Sequence, residues 1–382
     1  LPTVSTSASK ALINLSQINT ISFTLSDAGE SLQLSDLVFL NGESVPGSFS
    51  GSGTSYTIGF KPSTALTDNT TASVEVVSNK FQSLASNKVA FVVDPVLPTL
   101  VLQSDKNALI AGEVATLTLT LSEPIEGFNT SAVSVTGGTL SAWTGADTLY
   151  SASFTPSANT ETQASISLGN GFLTDLAGNR NVDGSDTNNQ VQIAVDTKLP
   201  TLTISSTPSA LKVGETAAVS FAVSEPTTNF QVDDIIVTGG SLSGFSGAGT
   251  QYSAVFTPSA ESTTTGQLAV DVNKFSDAAG NPNAMANLTL LVDTQRPTVS
   301  VSADKTSLQA GEVANLTFTL SEAALSLDLT KLQVSGGSIS ALTGSGVTRR
   351  AVFTPTAQSL GTATIVLGNG FMTDTAGNLN VD

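Results

Sequence analysis

Three carboxylates and one amide recur at matching places in three successive stretches of this sequence. The sets are Asp94, Glu123, Asp175 and Asn179; then Asp196, Glu225, Asp277 and Asn281; then Asp293, Glu322, Asp374 and Asn378. In each set the first Asp precedes a linker proline, the Glu closes a Ser-Glu pair, and the second Asp and the Asn bracket an Asp-x-Ala-Gly-Asn loop. Three bare carboxylates drawn together repel, and their pKa values climb until some protonate. A hard divalent cation removes that conflict. Ca²⁺ accepts about six to eight oxygens at ~2.3–2.6 Å in loose geometry, whereas Mg²⁺ demands a stricter octahedron and keeps its waters. The pattern therefore predicts Ca²⁺ as the cofactor and these residues as its ligands, with Gly178, Gly280 and Gly377 permitting the tight loop. Each signature alone is ordinary turn chemistry, because Asp and Asn cap turns and Gly supplies positive φ. The cation reading rests on their joint recurrence.

Convergence of these residues depends on the elements that carry them. The sequence is one cassette written four times, anchored at Pro2, Pro98, Pro200 and Pro297. A period of about 100 residues is that of whole domains, each with its own core, and not of a solenoid. The expected domains are 1–95 (divergent), 96–197, 198–294, and 295–382, the last stopping before the counterpart of a final strand; the chain reads as an internal fragment. Within the second copy, 114–121 alternates strictly between apolar and threonine side chains, the mark of a strand with one face buried. Further strands are expected at 100–103, 132–135, 140–143, 149–154, 164–168 and 191–195, separated by Gly, Asn, Pro and Ser signals. No stretch has helical periodicity. The fold class expected is all-β, a tandem array of Ig-like β-sandwiches of about seven strands each, with a small barrel as the alternative.

With these strands named A, B, C, C′, E, F and G, the B–C and F–G loops share one end of the sandwich with the incoming linker. Glu123 then sits where strand B ends, Asp175 and Asn179 sit in the F–G loop, and Asp94 arrives from the preceding strand G. The first copy departs from the pattern. It carries Ser26-Asp27, but residues 81–87 replace the Asp-x-Ala-Gly-Asn loop, so a weak or absent site is expected at its leading end.

Composition narrows the function classes. There are 14 basic and 31 acidic residues, a net charge of −17, and the largest basic cluster is Arg349-Arg350; a phosphate backbone would be repelled, so nucleic acid is not an expected partner. No histidine or cysteine is present, which removes thiol, Fe–S and most Zn chemistry and the common general base. No apolar run is long enough to span a membrane. Catalysis is not expected. Aromatic side chains are scarce, at 5% of the chain, and Tyr56, Trp143, Tyr150 and Tyr252 are the candidates for a carbohydrate- or receptor-binding platform.

These residues resemble the bacterial Ig-like repeats of large surface adhesins of the RTX type, exported by type I secretion. The resemblance rests on the Val-Asp-Thr-x-x-Pro-Thr linkers, the Gly-Glu and Ser-Glu pairs, Phe-Thr-Pro and the Asp-x-Ala-Gly-Asn loops, and it covers the whole chain, most weakly in the first copy. It implies a structural extender, a stalk segment stiffened by Ca²⁺ at domain junctions that projects an adhesive tip for cell adhesion and biofilm formation. It further implies an extracellular place on the bacterial surface, a monomeric chain whose partners are its own neighbouring repeats, and a host or surface ligand bound by other domains. The alternatives are a carbohydrate- or receptor-binding module and a surface-layer component. Strands of about eight residues imply roughly 40 Å per domain and a segment on the order of 150 Å.

Overall fold

Alternating side chains bury one face of each strand, and two such faces must meet. In a computed structural model describing residues 1–381, the chain is all-β: among the described residues the only helical elements are short 3-10 turns. It divides into two compact units, Leu1–Lys198 and Leu199–Asp382. Each unit holds two separate hydrophobic cores. In the first unit one core gathers around Phe23, Ile58, Phe60 and Val93, and the other around Leu117, Leu119, Phe154 and Ile166. In the second unit the centres are Phe221, Phe256 and Leu290, then Phe318, Phe353 and Phe371.

The second copy shows how a core is closed. One sheet runs in the order Leu100–Ser104 (A), Ala115–Leu121 (B), Leu149–Pro156 (E), Gly138–Leu140 (C′), all antiparallel. Facing it, Ala108–Leu109 pairs in parallel with Gln190–Asp196 (G), followed by Glu161–Leu168 (F) and Val133–Thr136 (C). Along strand B, Ala115, Leu117, Leu119 and Leu121 are buried while Thr116 and Thr120 are exposed. The Phe of Phe-Thr-Pro is the keystone: Phe154 is fully buried. Its ring occupies the space above Gly138, where a Cβ would lie 2.6 Å from Phe154 Cζ and 2.3 Å from the Thr155 carbonyl oxygen. Gly240 and Gly337 face Phe256 and Phe353 in the same way, which accounts for the second glycine of each Gly-Gly pair.

Two expectations need correction. The strand expected at 140–143 is Gly138–Leu140, and Trp143 lies beyond it. Trp143 is half-buried and packs on Phe128 and Phe172, with ring centroids 6.3 Å apart in both cases, so it is part of an aromatic cluster and no flat exposed platform. Tyr252 is likewise buried, its hydroxyl donating to the Thr227 carbonyl at 3.0 Å. The second correction is in the third copy, where strand B is Ala217–Thr227 and runs through Glu225 instead of ending there. In the fourth copy, the sheet facing Phe353 consists of Leu332–Ser335 and Thr364–Leu367.

A candidate cation site at the linker

A third, two-stranded sheet is what brings the acids together. Ile125–Phe128, in the B–C connection, pairs antiparallel with Leu173–Asp175, setting Ile125 opposite Asp175. Asp175 therefore ends a short strand before its loop begins, and Glu123 stands two residues from the pairing. The fourth copy repeats the device, with Ala324–Leu327 against Met372–Asp374.

The linker is pinned on both sides. Ser122 of the Ser-Glu pair accepts the Thr99 N–H at 2.9 Å, and Ser122 N–H donates to the Thr99 carbonyl. Ser321 and Thr298 form the same pair. At the departing end, Thr294 of Val-Asp-Thr donates its hydroxyl to the Ser259 carbonyl at 2.6 Å and accepts the Ser262 N–H; Thr197 does the same with Ser157 and Thr160. Pro95 stands at this place in the first linker, where its ring fixes φ and no hydroxyl is available. The linker Asp also caps its own turn, with Asp94 Oδ1 accepting the Val96 N–H at 2.9 Å.

Asp175 serves its loop and the acid cluster together. Its Oδ1 accepts the Asn179 N–H at 2.7 Å, its own N–H donates to the Asn179 carbonyl, and Gly178, at φ 91°, turns the chain between them. Asp374 and Asn378 repeat these bonds at 2.7 and 3.0 Å. Turn chemistry and a cation site are thus not exclusive, because a carboxylate oxygen has lone pairs for both.

Within the first unit, Asp94, Glu123 and Asp175 each present a carboxylate oxygen to one spot, all within 4.8 Å of one another. Within the second unit, Asp293, Glu322 and Asp374 do the same. Asp94 and Asp175 are buried, and Glu123 Oε1 is shut off from solvent with no hydrogen-bond donor. Burial, followed by the fields of Asp94 and Asp175, pushes the Glu123 carboxyl up to about 7. Asp94 is raised by burial and Asp175 against the Val96 N–H, and Glu322 by burial, Asp374 and Asp293. These are the marks of a site short of positive charge. The donors are all oxygen, which suits a hard cation. Of the remaining set, Asp196 closes the last strand of the first unit, while Glu225, Asp277 and Asn281 belong to the second, where Asp277 Oδ1 accepts the Asn281 N–H at 2.9 Å.

Asn179 and Asn378 bring amide nitrogens to the linker: Asn179 Nδ2 lies 3.1 Å from the Asp94 carbonyl and 3.0 Å from that of Val96. A residue that the sequence reading passed over stands two places further on. Asn181 is buried, its Oδ1 accepting the Leu173 N–H at 2.9 Å and its Nδ2 donating to the Gly169 carbonyl. Asn283 and Asn380 brace their loops likewise. The signal was present as Gly-Asn-x-Asn in all three copies.

A sequence model of the family described as bacterial Ig-like domain matches residues 94–194, 196–290 and 293–382. No curated protein sequence matches the chain. Among solved structures, the chain is similar to FdeC, an Escherichia coli adhesin, at 16% identity over 76% of this chain and 96% of that one, with a TM-score of 0.35. It is also similar to invasin, a bacterial integrin-binding protein, at 13% identity over 96% of this chain and 76% of that one, TM-score 0.32. An I-band fragment of titin scores alike, at 7% identity, 77% and 98% coverage and TM-score 0.33, so these likenesses carry no functional argument. The family matches span more than half of the sequence, and each opens on a linker carboxylate, Asp94, Asp196 or Asp293, so that each matched segment contains a full set of acids. The chain belongs to the bacterial Ig-like domain family.

Proposed function

We propose that the chain is a spacer segment of a bacterial surface adhesin, in which Ca²⁺ held between linker and loops stiffens the joints between successive Ig-like domains. The observation that carries this reading is Glu123 Oε1, buried without a donor beside two further carboxylates. An isolated buried charge is costly, and it is tolerated where a cation arrives to pair with it. Asp94, Glu123 and Asp175 would hold one ion, and Asp293, Glu322 and Asp374 another. Asp196, Glu225 and Asp277 are the sequence-equivalent third set. When bound, the ion supplies the positive charge that joins three chain segments: the end of one domain, its linker and the loops of the next. Such a spacer acts outside the cell, as a monomer without catalytic activity, and lends reach to a ligand-binding part elsewhere in the protein.

The test is a calcium titration by calorimetry together with small-angle X-ray scattering in millimolar CaCl₂ and in EGTA. Wild-type protein is expected to take up calcium and to show a larger maximum dimension with it. Asp94→Ala and Glu123→Ala are expected to lose the first site and part of the change. Identical scattering profiles and no heat of binding would leave the acids as turn-capping groups and sink the proposal.

A further inference from the structure

Asn has the right chemistry to be a cation ligand through its amide oxygen, but around Asn179 the surrounding groups call for a donor. Its Nδ2 faces three oxygens: the carbonyls of Asp94 and Val96, on either side of Pro95, and Asp175 Oδ2 at 2.9 Å. Carbonyl and carboxylate oxygens only accept, so the amide nitrogen must be the atom that points at them. Asn378 reproduces the arrangement in the second unit, with Asp293 O at 2.9 Å, Gln295 O at 3.4 Å and Asp374 Oδ2 at 2.9 Å. There the amide oxygen is also engaged, accepting the Val213 N–H at 2.8 Å from the preceding repeat. In the first unit the preceding repeat reaches the same loop by another route, Gln17 Nε2 donating to the Ala177 carbonyl at 3.1 Å. Both asparagines are buried.

We propose that Asn179 and Asn378 are clamps on the linker backbone, not cation ligands, and that they hold each joint closed with its carboxylates converging before any cation binds. The physical need is clear. Three converging carboxylates repel one another, and Asp94 ends the strand Lys88–Asp94 at the point where the chain leaves its sheet for the linker. A neutral amide that grips the main chain on both sides of that linker position opposes the repulsion without adding charge, and its own bond to Asp175 or Asp374 fixes the linker to the next domain's loop. A cation then binds a preformed site, with less ordering left to do. These positioning residues rest on the cation reading only for their effect on affinity; the closure itself is a metal-free property.

Aspartate separates the two roles. It is nearly the same size, it is a better calcium ligand than Asn, and it cannot donate to the linker carbonyls. Because the chain has no cysteine, spin labels can be placed on exposed positions through Thr71→Cys and Ser134→Cys, one in each of the first two repeats, and their distance distribution measured in EGTA. In the Asn179 background the distribution is expected to be narrow; Asn179→Asp and Asn179→Ala should broaden it at least twofold while circular dichroism shows the sheets intact. Calorimetry should show about tenfold weaker calcium binding at that site for Asn179→Asp. Asn378→Asp, with labels across the joint of the second unit, repeats the measurement independently should either Asn179 variant fold poorly. Unchanged distributions in EGTA, or calcium binding by Asn179→Asp as tight as wild type, would overturn the clamp. Absence of calcium binding in the wild type would remove the cation reading alone, and the EGTA distributions would still decide the clamp.

Discussion

Glu123 is where, on the proposed function, a proton and a cation would compete. Its carboxyl is raised from an ordinary 4.5 to about 7 by burial and then by its two acidic neighbours. A group whose folded pKa exceeds its unfolded value contributes stability that is fully present below the unfolded value and lost as pH rises through the folded one. For Glu123 that window runs from 4.5 to about 7, and Asp94 and Glu322 act with the same sign. Glu113, Asp304, Glu312 and Asp328 are lowered, by hydrogen bonds and neighbouring lysines, so their contribution is present above the unfolded value and fades only in stronger acid. In EGTA the melting temperature should therefore fall as pH is raised from about 5 to about 8. Glu123→Gln, which cannot ionise, should flatten much of that slope. Saturating calcium should reverse it, since the cation takes the ionised carboxylate. A metal-free melting temperature that is level over this range would contradict the burial of Glu123. Asn181 offers a second residue-scale check. Asn181→Ala strands the buried Leu173 N–H, and a lost partner of this kind costs about 1–3 kcal/mol, to be read from urea unfolding.

At the scale of elements, packing around Phe154 is the most exposed to mutation. Gly138→Ala would place a methyl inside the Phe154 ring and against the Thr155 carbonyl, which belongs to the paired strand and has nowhere to go. Overpacking of this kind costs about 1–3 kcal/mol, measurable as a drop in the urea midpoint of that domain, whereas Gly112→Ala, with nothing within 4 Å of the added carbon, should be set apart by its φ of 82° alone. The contrast between these glycines also marks what a sequence discloses. Strand B was legible because Leu117 and Leu119 alternate with Thr116, Thr118 and Thr120, and alternation is written in residue type. The beginning of strand F was not, because Glu161-Thr162-Gln163 is polar on both faces and its pairing with Gln190–Asp196 is a property of the backbone. Ala108–Leu109 is too short to show any period, yet it forms the parallel edge of the second sheet. The three acids were legible as a recurring set, but the sheet that aligns them, Ile125–Phe128 on Leu173–Asp175, joins two loops far apart in sequence and carries no local pattern. The end of strand B in the third copy was hidden for the same reason: the strand continues past Glu225 through a pairing of Thr227 with Gly249, after a register shift.

For the molecule as a whole, the question is whether the proposed calcium would sustain the fold or only its joints. Each of the four hydrophobic cores buries phenylalanines fully, from Phe23 and Phe60 to Phe371. Extracellular calcium modules bind with dissociation constants of about 10⁻⁴ to 10⁻³ M, so about 1 mM calcium adds on the order of 1 kcal/mol per site through mass action. Spread over domains of this size, that raises a melting temperature by about 4–8 °C at most. The sandwiches should accordingly stay folded in EGTA, with far-UV circular dichroism unchanged at room temperature and melting lowered by only a few degrees. Stiffness would respond differently from stability, because on the proposed function one cation shared by a departing strand, a linker and two loops would restrict rotations that the hydrophobic cores leave free. A protein whose β signal collapsed on chelation would have calcium as part of its folding free energy, and the acid sets would then be structural cores in their own right instead of joints between finished domains.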